Sequence, residues 1–244
     1  GEATVFVSYA RKYSFDGLVD ALELFEANNG PQREHAADLD REEDDQSVGS
    51  LSVRKERKIF FWIDIFTLNQ FLSFEENKYT LDMFTTLIGK IGETCLVCMP
   101  WSNPLPFKRT WCLFEILATH MAGATLTVQL SKTRHPKFLQ MLSDDYENAI
   151  KSLNINIDVE SSECHNEHEK IIIYDVFLRM EEGYHHANHT ISNAIRHWAY
   201  ISAVRAVRTK MRLETEHRMT ERVEKHRKVS FFELLCLSFG CASQ

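Results

Sequence analysis

The sequence lacks any uninterrupted apolar run near the roughly 20 residues that a membrane-spanning helix needs. Its 44% hydrophobic and 26% charged residues are typical of a globular protein rather than a membrane or disordered one. It also lacks an excess of positive charge, with 28 Lys and Arg against 35 Asp and Glu. Because phosphate binding needs a concentrated basic surface, we expect no nucleic-acid partner. Because no apolar run is long enough to span a bilayer, we also expect no transmembrane segment.

Cysteine is too sparse for a disulfide framework, with six residues in 244. No secretory leader opens the sequence, so we expect a cytoplasmic location. Cys95 and Cys98 form a C-x-x-C, but they lie in the apolar run "ETCLVCMP", which favours a buried strand over a redox turn. The histidine-rich stretches "ECHNEHE" and "YHHANH" lack the paired spacing of a zinc site, so we predict no metal.

Short β-type runs alternate with segments of helical spacing through the first 160 residues. The predicted strands are 4–9, 59–66, 94–99, 124–130 and 153–159. The last of these rests on strict alternation of Leu153, Ile155, Ile157 and Val159. Alternation of strands and helices predicts an α/β protein with a parallel sheet covered on both faces. We therefore predict a flavodoxin-like, three-layer fold with five parallel strands.

The pattern lapses in residues 30–58, whose acidic and basic halves predict a mobile surface insertion within an α/β domain of residues 3–182. Predicted helices at 79–92, 106–117 and 136–153 complete that domain, with a further one at 165–182. A helix at 190–227 then begins a helical extension over 183–244, and beyond Arg208 it is charged on all sides.

Polar and aromatic residues follow the first three predicted strands. In open α/β sheets the ligand crevice lies outside the carboxyl ends of the strands. The residues that this rule gathers at one edge are Ser8, Tyr9, Arg11, Asp64, Phe66, Asn69, Pro100, Trp101, Asn103, Trp111 and Glu115. We therefore predict a crevice there.

Glu115 lies one helical turn after Trp111 in "PFKRTWCLFEIL", on the helix that follows the third strand. The simplest interpretation of a helical glutamate is a solvated side chain on an outer face. Its position at the predicted crevice leaves a functional role open as the alternative.

Four motifs in this order resemble the TIR (Toll/interleukin-receptor) domain family: "VFVSYAR", "FWIDIF", "CLVCMPWSNP" and "RTWCLFEIL". The likeness covers about residues 3–130. It is nearest to a subgroup common in algae and protists, marked by "WIDIF-x-x-NQ", "PW" and "R-x-WC-x-x-E". Position 10 is Ala where the family's axon-degeneration enzyme has a second basic residue.

The resemblance implies a signalling or defence enzyme that cleaves NAD+ at the nicotinamide–ribosyl bond when it self-associates through TIR–TIR contacts. NAD+ is then a substrate and no cofactor is expected. The motif glutamate maps onto Glu115. The resemblance implies that Tyr9 or Phe66 stacks on nicotinamide beside Trp111, that Arg11 meets the pyrophosphate, and that Ser8 and Asp64 hold ribose hydroxyls.

Two other classes of function stay open at this point. The first is a non-catalytic TIR scaffold that only recruits other TIR surfaces, and the second is a nucleotide-binding sensor without turnover. Core packing is the alternative role for Tyr9 and Phe66, and a solvated loop charge is the alternative for Arg11. Whether the product is ADP-ribose, a cyclic isomer or a base-exchange product does not follow from the sequence.

Overall fold

The computed structural model describes residues 2–29, 58–69, 80–152 and 155–238, with side chains described as far as residue 224. The strands are β1 (Val5–Ser8), β2 (Phe61–Trp62), β3 (Glu93–Val97) and β4 (Thr125–Gln129). The helices are α1 (Phe15–Asn29), α2 (Asp64–Thr67), α3 (Leu81–Ile91), α4 (Thr110–Met121), α5 (His135–Asp144), α6 (Tyr146–Ser152), α7 (Glu167–Leu178) and α8 (Tyr184–Ser238), with a 3-10 turn at Leu105–Lys108. The predicted insertion at 30–58 lies outside the described residues except for its last position.

The described strands form one parallel sheet in the order β2-β1-β3-β4. Side chains of β1 alternate between two hydrophobic clusters: Phe6 packs into the larger cluster, and Val5 and Val7 pack into the smaller one with α1. Because the two central strands are covered on both faces, they carry continuous apolar runs. The architecture is α/β with a parallel sheet, compatible with a flavodoxin-like fold.

The prediction of a fifth strand at 153–159 is wrong. Residues 155–158 have no regular secondary structure, and residues 153 and 154 lie outside the described part. Ile157 and Val159 are buried in the larger cluster, and the Val159 N–H donates to the Asn188 side chain on α8 at 2.9 Å. The alternation therefore reflects a segment that is buried on one side against helices, not a strand paired with β4.

Several predicted boundaries also change, each for a local reason. The second strand spans two residues rather than 59–66, because α2 begins at Asp64. The predicted helix 136–153 divides at Asp145, whose carboxylate accepts the Asn148 N–H at 3.1 Å and so caps α6. The helix predicted at 190 begins at Tyr184, directly after Gly183 with its positive φ of 56°.

The first half of α8 belongs to the core. Its buried residues in the larger cluster are Ala187, Ile191, Ile195, Trp198, Ala199 and Ala203. The predicted boundary at residue 183 therefore does not coincide with a gap in packing.

Within the described residues, no helix combines the length and apolar character that crossing a membrane requires.

Candidate active site

Ser8 and Glu115 meet at the carboxyl end of the sheet. Ser8 ends β1, where its side chain is fully buried, and its hydroxyl donates to Oε2 of Glu115 at 2.5 Å. Glu115 lies in the second turn of α4 and is partly buried. In the described part of the chain, Ser8 is the only side chain that donates to this carboxylate. The structure thus brings these two residues into direct contact.

α4 is buried around most of its circumference, which is why Glu115 is not a solvated glutamate on an outer face. Its buried side chains are Thr110, Cys112, Leu113, Phe114, Ile116, Leu117, Ala118 and Thr119. The helix packs both on the sheet and beneath later helices, so it has no broad solvent face. A carboxylate in this setting loses much of its hydration.

This environment changes the acidity of Glu115. Burial raises its pKa to about 8, the Ser8 hydrogen bond offsets part of that rise, and the negative charge of Asp64 adds to it. The positive charge of Arg11 acts in the opposite direction. Carboxylates with such raised pKa values are concentrated at functional sites.

Asp64 organises a second cluster beside Glu115. Its Oδ1 accepts the Tyr9 hydroxyl at 2.8 Å, and its Oδ2 accepts both Nε and an Nη of Arg11, at 3.1 and 2.7 Å. Burial and Asp64 raise the pKa of Tyr9, so its phenol stays neutral. Burial works against the charge of Arg11, but Asp64 outweighs it and raises the pKa of Arg11. Three predicted site residues therefore form one hydrogen-bonded unit.

Phe66 lies in α2, directly after β2, with 67% of its surface exposed. Its ring meets Phe15, which is 56% exposed, edge to face at a centroid distance of 6.1 Å. Core packing is therefore not the role of Phe66. By contrast, Trp62 stacks on Phe6 at 4.8 Å and is part of the packed interior.

Trp111 is held by α7. Its indole N–H donates to the Glu169 carboxylate at 2.8 Å, and its ring packs near Phe84 and Phe114 at centroid distances of 5.6 and 6.0 Å. A contact with substrate stays a prediction for this residue. The contact with Glu169 could not be foreseen, because 58 residues separate the two and nothing in the local sequence pairs them.

The sequence also gave no reason to select Tyr13. Its hydroxyl accepts the Met99 N–H at 2.7 Å and so ties the loop after β1 to the loop after β3. Burial raises the pKa of Tyr13, which favours the neutral phenol. The pairing joins positions 86 apart in the chain, so no local pattern indicates it.

The described residues contain no group of three or more His, Cys, Asp or Glu side chains able to hold a metal ion. Cys95 and Cys98 are buried as the sequence predicts. A groove of about 1500 Å³ lies between β4, α5 and α8, but none of the predicted site residues lines it. The polar cluster around Glu115 is therefore separate from that groove.

Comparison of the chain with protein-family models, with curated proteins and with solved structures finds no match. The class defined by the fold is an α/β protein with a parallel sheet and a polar cluster at the carboxyl ends of its strands. The likeness to TIR domains therefore stays a proposal.

Proposed function

We propose that the chain is a TIR-type NAD+ glycohydrolase whose Glu115 carboxylate supports the ribosyl centre during loss of nicotinamide. The observation that carries this proposal is the 2.5 Å hydrogen bond from buried Ser8 to a partly exposed Glu115 at the carboxyl end of the sheet. A pure scaffold gains nothing from a carboxylate whose pKa is raised in this way.

One carboxylate is enough for this chemistry. Nicotinamide departs as a neutral base from a cationic ring, so its departure needs no general acid. What remains is an oxocarbenium-like ribosyl centre that gains positive charge as the bond breaks. A fixed carboxylate in a water-poor crevice stabilises that charge by a few kcal/mol.

The neighbouring residues take roles that follow from their hydrogen bonds. The Ser8 hydroxyl donates its one hydrogen bond to Glu115, so towards a ribose hydroxyl the Ser8 oxygen acts as an acceptor. Asp64 accepts hydrogen bonds from Tyr9 and Arg11. In this proposal it holds those two side chains in position and also contacts a ribose hydroxyl. The Arg11 side chain is 58% exposed, so it can share its guanidinium with a pyrophosphate.

Substrate charge links binding to ionisation. Glu115 has a pKa of about 8 in the free protein, and the cationic nicotinamide ring favours its charged form. We infer that NAD+ binding itself promotes the active carboxylate. Attack of water on the ribosyl centre gives linear ADP-ribose, and attack of an adenine nitrogen gives a cyclic isomer. In this proposal, self-association raises activity because it orders the loops around the site.

The test is nicotinamide release from NAD+ by purified protein over a concentration series. Glu115→Gln keeps the side-chain volume and removes the charge, so the rate should fall by at least about 100-fold. Glu93→Gln is the matched control, because Glu93 begins β3 at the amino end of the strands, opposite to the end that carries Glu115. Equal loss in both variants, or an active Glu115→Gln, contradicts the assignment.

A second candidate function is the non-catalytic TIR scaffold, which the exposed aromatic pair Phe15 and Phe66 favours. Exposed aromatic rings are enriched at protein interfaces. Assemblies that form readily, release no nicotinamide at any concentration and dissociate on Phe66→Ala would establish the scaffold and exclude the enzyme.

A further inference from the structure

The outer edge of β4 carries unpaired backbone groups. β4 is the last strand of the sheet, and among the described residues no strand pairs with its outer side. The Thr125 N–H donates to the Gly92 carbonyl at 2.9 Å, so Thr125 and every second residue after it pair with β3. Because only alternate residues of a strand bond to one neighbour, the backbone groups of Leu126 and Val128 point away from the sheet.

Leu126 lies where this edge is open. Its outward N–H and C=O have no hydrogen-bond partner in the part of the chain that the structure describes. The residue is partly exposed and lines the groove beside β4. Val128 is only 1% exposed and marks the point at which the edge becomes covered. An edge with free N–H and C=O groups is a template for an added strand.

The side chain of Gln129 supplies a second unpaired group in the same groove. Its Nε2 donates to the Leu130 carbonyl at 2.8 Å, but no described residue donates to its Oε1. No side-chain oxygen in the described residues is both inaccessible and without a partner, so the small exposed part of Gln129 includes this oxygen. Gln129 is 1% exposed as a whole. A buried amide oxygen without a donor is costly, and an N–H from a ligand would remove that cost.

Helices lie on both sides of the groove. Leu126 packs against the larger hydrophobic cluster, to which α5 and α8 contribute. Since side chains alternate along a strand, Thr127 points to the opposite face of the sheet, where α1 packs. The apolar lining comes from both sides, with Leu24 on α1, Leu139 on α5, and Trp198 and Ile201 on α8. A further strand beside β4 would therefore lie between two helical layers, as β3 does.

Arg205 gives the groove an unpaired positive charge. The permanently charged side chains in the lining are Arg205, Lys210 and Glu214. Lys210 pairs with Asp144 at 2.7 Å, and Glu214 lies 3.8 Å from Arg218. Arg205 is exposed and has no ion-pair partner within the described part of the chain. A carboxylate on a ligand would therefore meet a free guanidinium.

We propose that this groove binds an extended peptide of a partner protein, which adds to the free edge of β4 as a fifth strand. Its backbone pairs with the outward groups of Leu126, and a further N–H donates to Oε1 of Gln129. Alternate apolar side chains of the peptide face α5 and α8, and an acidic side chain meets Arg205. In strand addition, main-chain hydrogen bonds give affinity and the alternate side chains give specificity.

Two features favour a peptide over a small molecule. The unpaired groups are spread along the strand from Leu126 to Gln129, which is roughly 10 Å at the usual rise of a strand. A peptide backbone offers a donor and an acceptor at each residue over such a distance. The groove of about 1500 Å³ is also larger than the roughly 300–1,000 Å³ of small-molecule pockets. This inference is independent of NAD+ chemistry, because its test measures peptide binding and not turnover.

Fluorescence anisotropy of the full chain with a labelled synthetic peptide is the first test. The probe is acetyl-EVTVTV-amide, in which valine alternates with threonine after one glutamate. Two matched probes carry N-methyl groups on both threonines or on two of the valines, which removes backbone donors along one edge of the peptide or the other. One of them should bind at least about tenfold more weakly, and the other should stay within about twofold of the parent probe. Equal affinities of the two N-methylated probes, or no binding of the parent probe, overturns the proposal.

Charge reversal tests the acidic contact. Arg205→Glu should weaken binding of the parent probe by at least about tenfold, and a probe that begins with lysine should bind this variant better than it binds the unaltered chain. Arg208→Glu is the matched control, because Arg208 is exposed on the same helix but does not line the groove. Equal weakening by the two variants contradicts the assignment. Circular dichroism verifies that both variants keep their helix content.

Amide hydrogen exchange, followed by NMR, examines the edge itself. In the free chain the Leu126 N–H should exchange faster than the Thr127 N–H, because Thr127 pairs with β3. Saturation with the probe should slow exchange at Leu126 by at least about tenfold and leave Leu113 in α4 unchanged. Unaltered exchange at Leu126 in the complex would place the peptide elsewhere and overturn the proposal. A chain that dimerises without peptide, and whose dimer excludes the probe, would assign the edge to a second copy instead of a partner.

Discussion

Ser8 and Glu115 are 107 positions apart in the chain, and their hydrogen bond of 2.5 Å joins the end of β1 to the second turn of α4. The donor is fully buried and the acceptor is partly exposed, so one carboxylate oxygen is fixed by the protein interior. Burial and Asp64 favour the neutral acid, while Ser8 and Arg11 favour the carboxylate. The balance of these four influences makes the ionisation of Glu115 adjustable by single substitutions.

The first prediction concerns the pH dependence of NAD+ cleavage. If the carboxylate is the active form, kcat/KM should rise about tenfold per pH unit below about pH 8 and level off above it, because this ratio reports the free protein. The kcat profile should be displaced to lower pH, since the cationic substrate favours ionisation. Initial rates of nicotinamide release between about pH 6 and pH 9.5 measure both profiles. A kcat/KM that falls through this range would assign the proton, rather than the charge, to the reaction.

The second prediction is that Ser8→Ala and Asp64→Asn move that profile in opposite directions. Removal of the Ser8 hydroxyl withdraws the one described donor to Glu115, so the apparent pKa should rise. Removal of the Asp64 charge withdraws a repulsion, so the apparent pKa should fall. Each shift should be about one pKa unit, which corresponds to about 1.4 kcal/mol.

Matched controls make that comparison sharper. Asp64→Asn also loosens Arg11, so KM for NAD+ should rise in this variant but not in Ser8→Ala. Thr94→Ser serves as the control, because Thr94 is a buried hydroxyl residue of the same sheet that contacts Thr119 rather than Glu115. Shifts of the same sign in both site variants would remove Glu115 as the group that titrates.

The third prediction is a stability difference that grows with pH. The pKa of Glu115 rises from 4.5 to about 8 on folding, so the folded parent loses stability as pH increases through that interval. Glu115→Gln has no proton to lose. The two proteins should melt alike near about pH 5, and the variant should be more stable by about 2 kcal/mol near about pH 9. Converted at about 1.4 kcal/mol per pKa unit, the full shift would give more than twice this stability difference. We expect the smaller value because solvent screens a partly exposed carboxylate.

Thermal denaturation at the two pH values makes that measurement. Glu93→Gln is again a suitable control, since it alters a glutamate at the amino end of the strands. A parent that gains stability relative to Glu115→Gln as pH rises would show that the carboxylate is better solvated or better paired than its surroundings indicate.

Much of the site was predictable because parallel strands bring their carboxyl ends to one edge. Ser8, Asp64 and Glu115 follow three strands of one sheet, and a rule about topology was enough to place them together. Local patterns sufficed for α3, where Thr80 caps the first turn and Gly92 ends the helix at a φ of 79°.

The remaining features depend on contacts that local sequence does not encode. Apolar and polar residues alternate around Ile157 as regularly as in a strand. This pattern indicates that one side of the segment is buried, but it does not indicate whether a strand or a helix covers that side. The ion pair between Asp64 and Arg11 likewise joins the first residue of α2 to the loop after β1, two segments that follow different strands.

The fourth prediction concerns the contact between Trp111 and Glu169, which attaches the start of α4 to α7 at 2.8 Å. Trp111→Phe keeps an aromatic ring but removes the donor, and Glu169→Ala removes the acceptor. Each change should lower the free energy of unfolding by about 1 to 3 kcal/mol, because a partly buried group loses a charge-assisted hydrogen bond. The double variant should lose less than the sum of the two, with a coupling of about 1 kcal/mol. Urea denaturation of the parent, the two single variants and the double variant completes the cycle.

Because Glu115 lies one turn after Trp111, nicotinamide release should fall in parallel in both single variants. Additive losses of stability would show that the two side chains act independently, and a fall in activity confined to Trp111→Phe would mark the indole as a substrate contact.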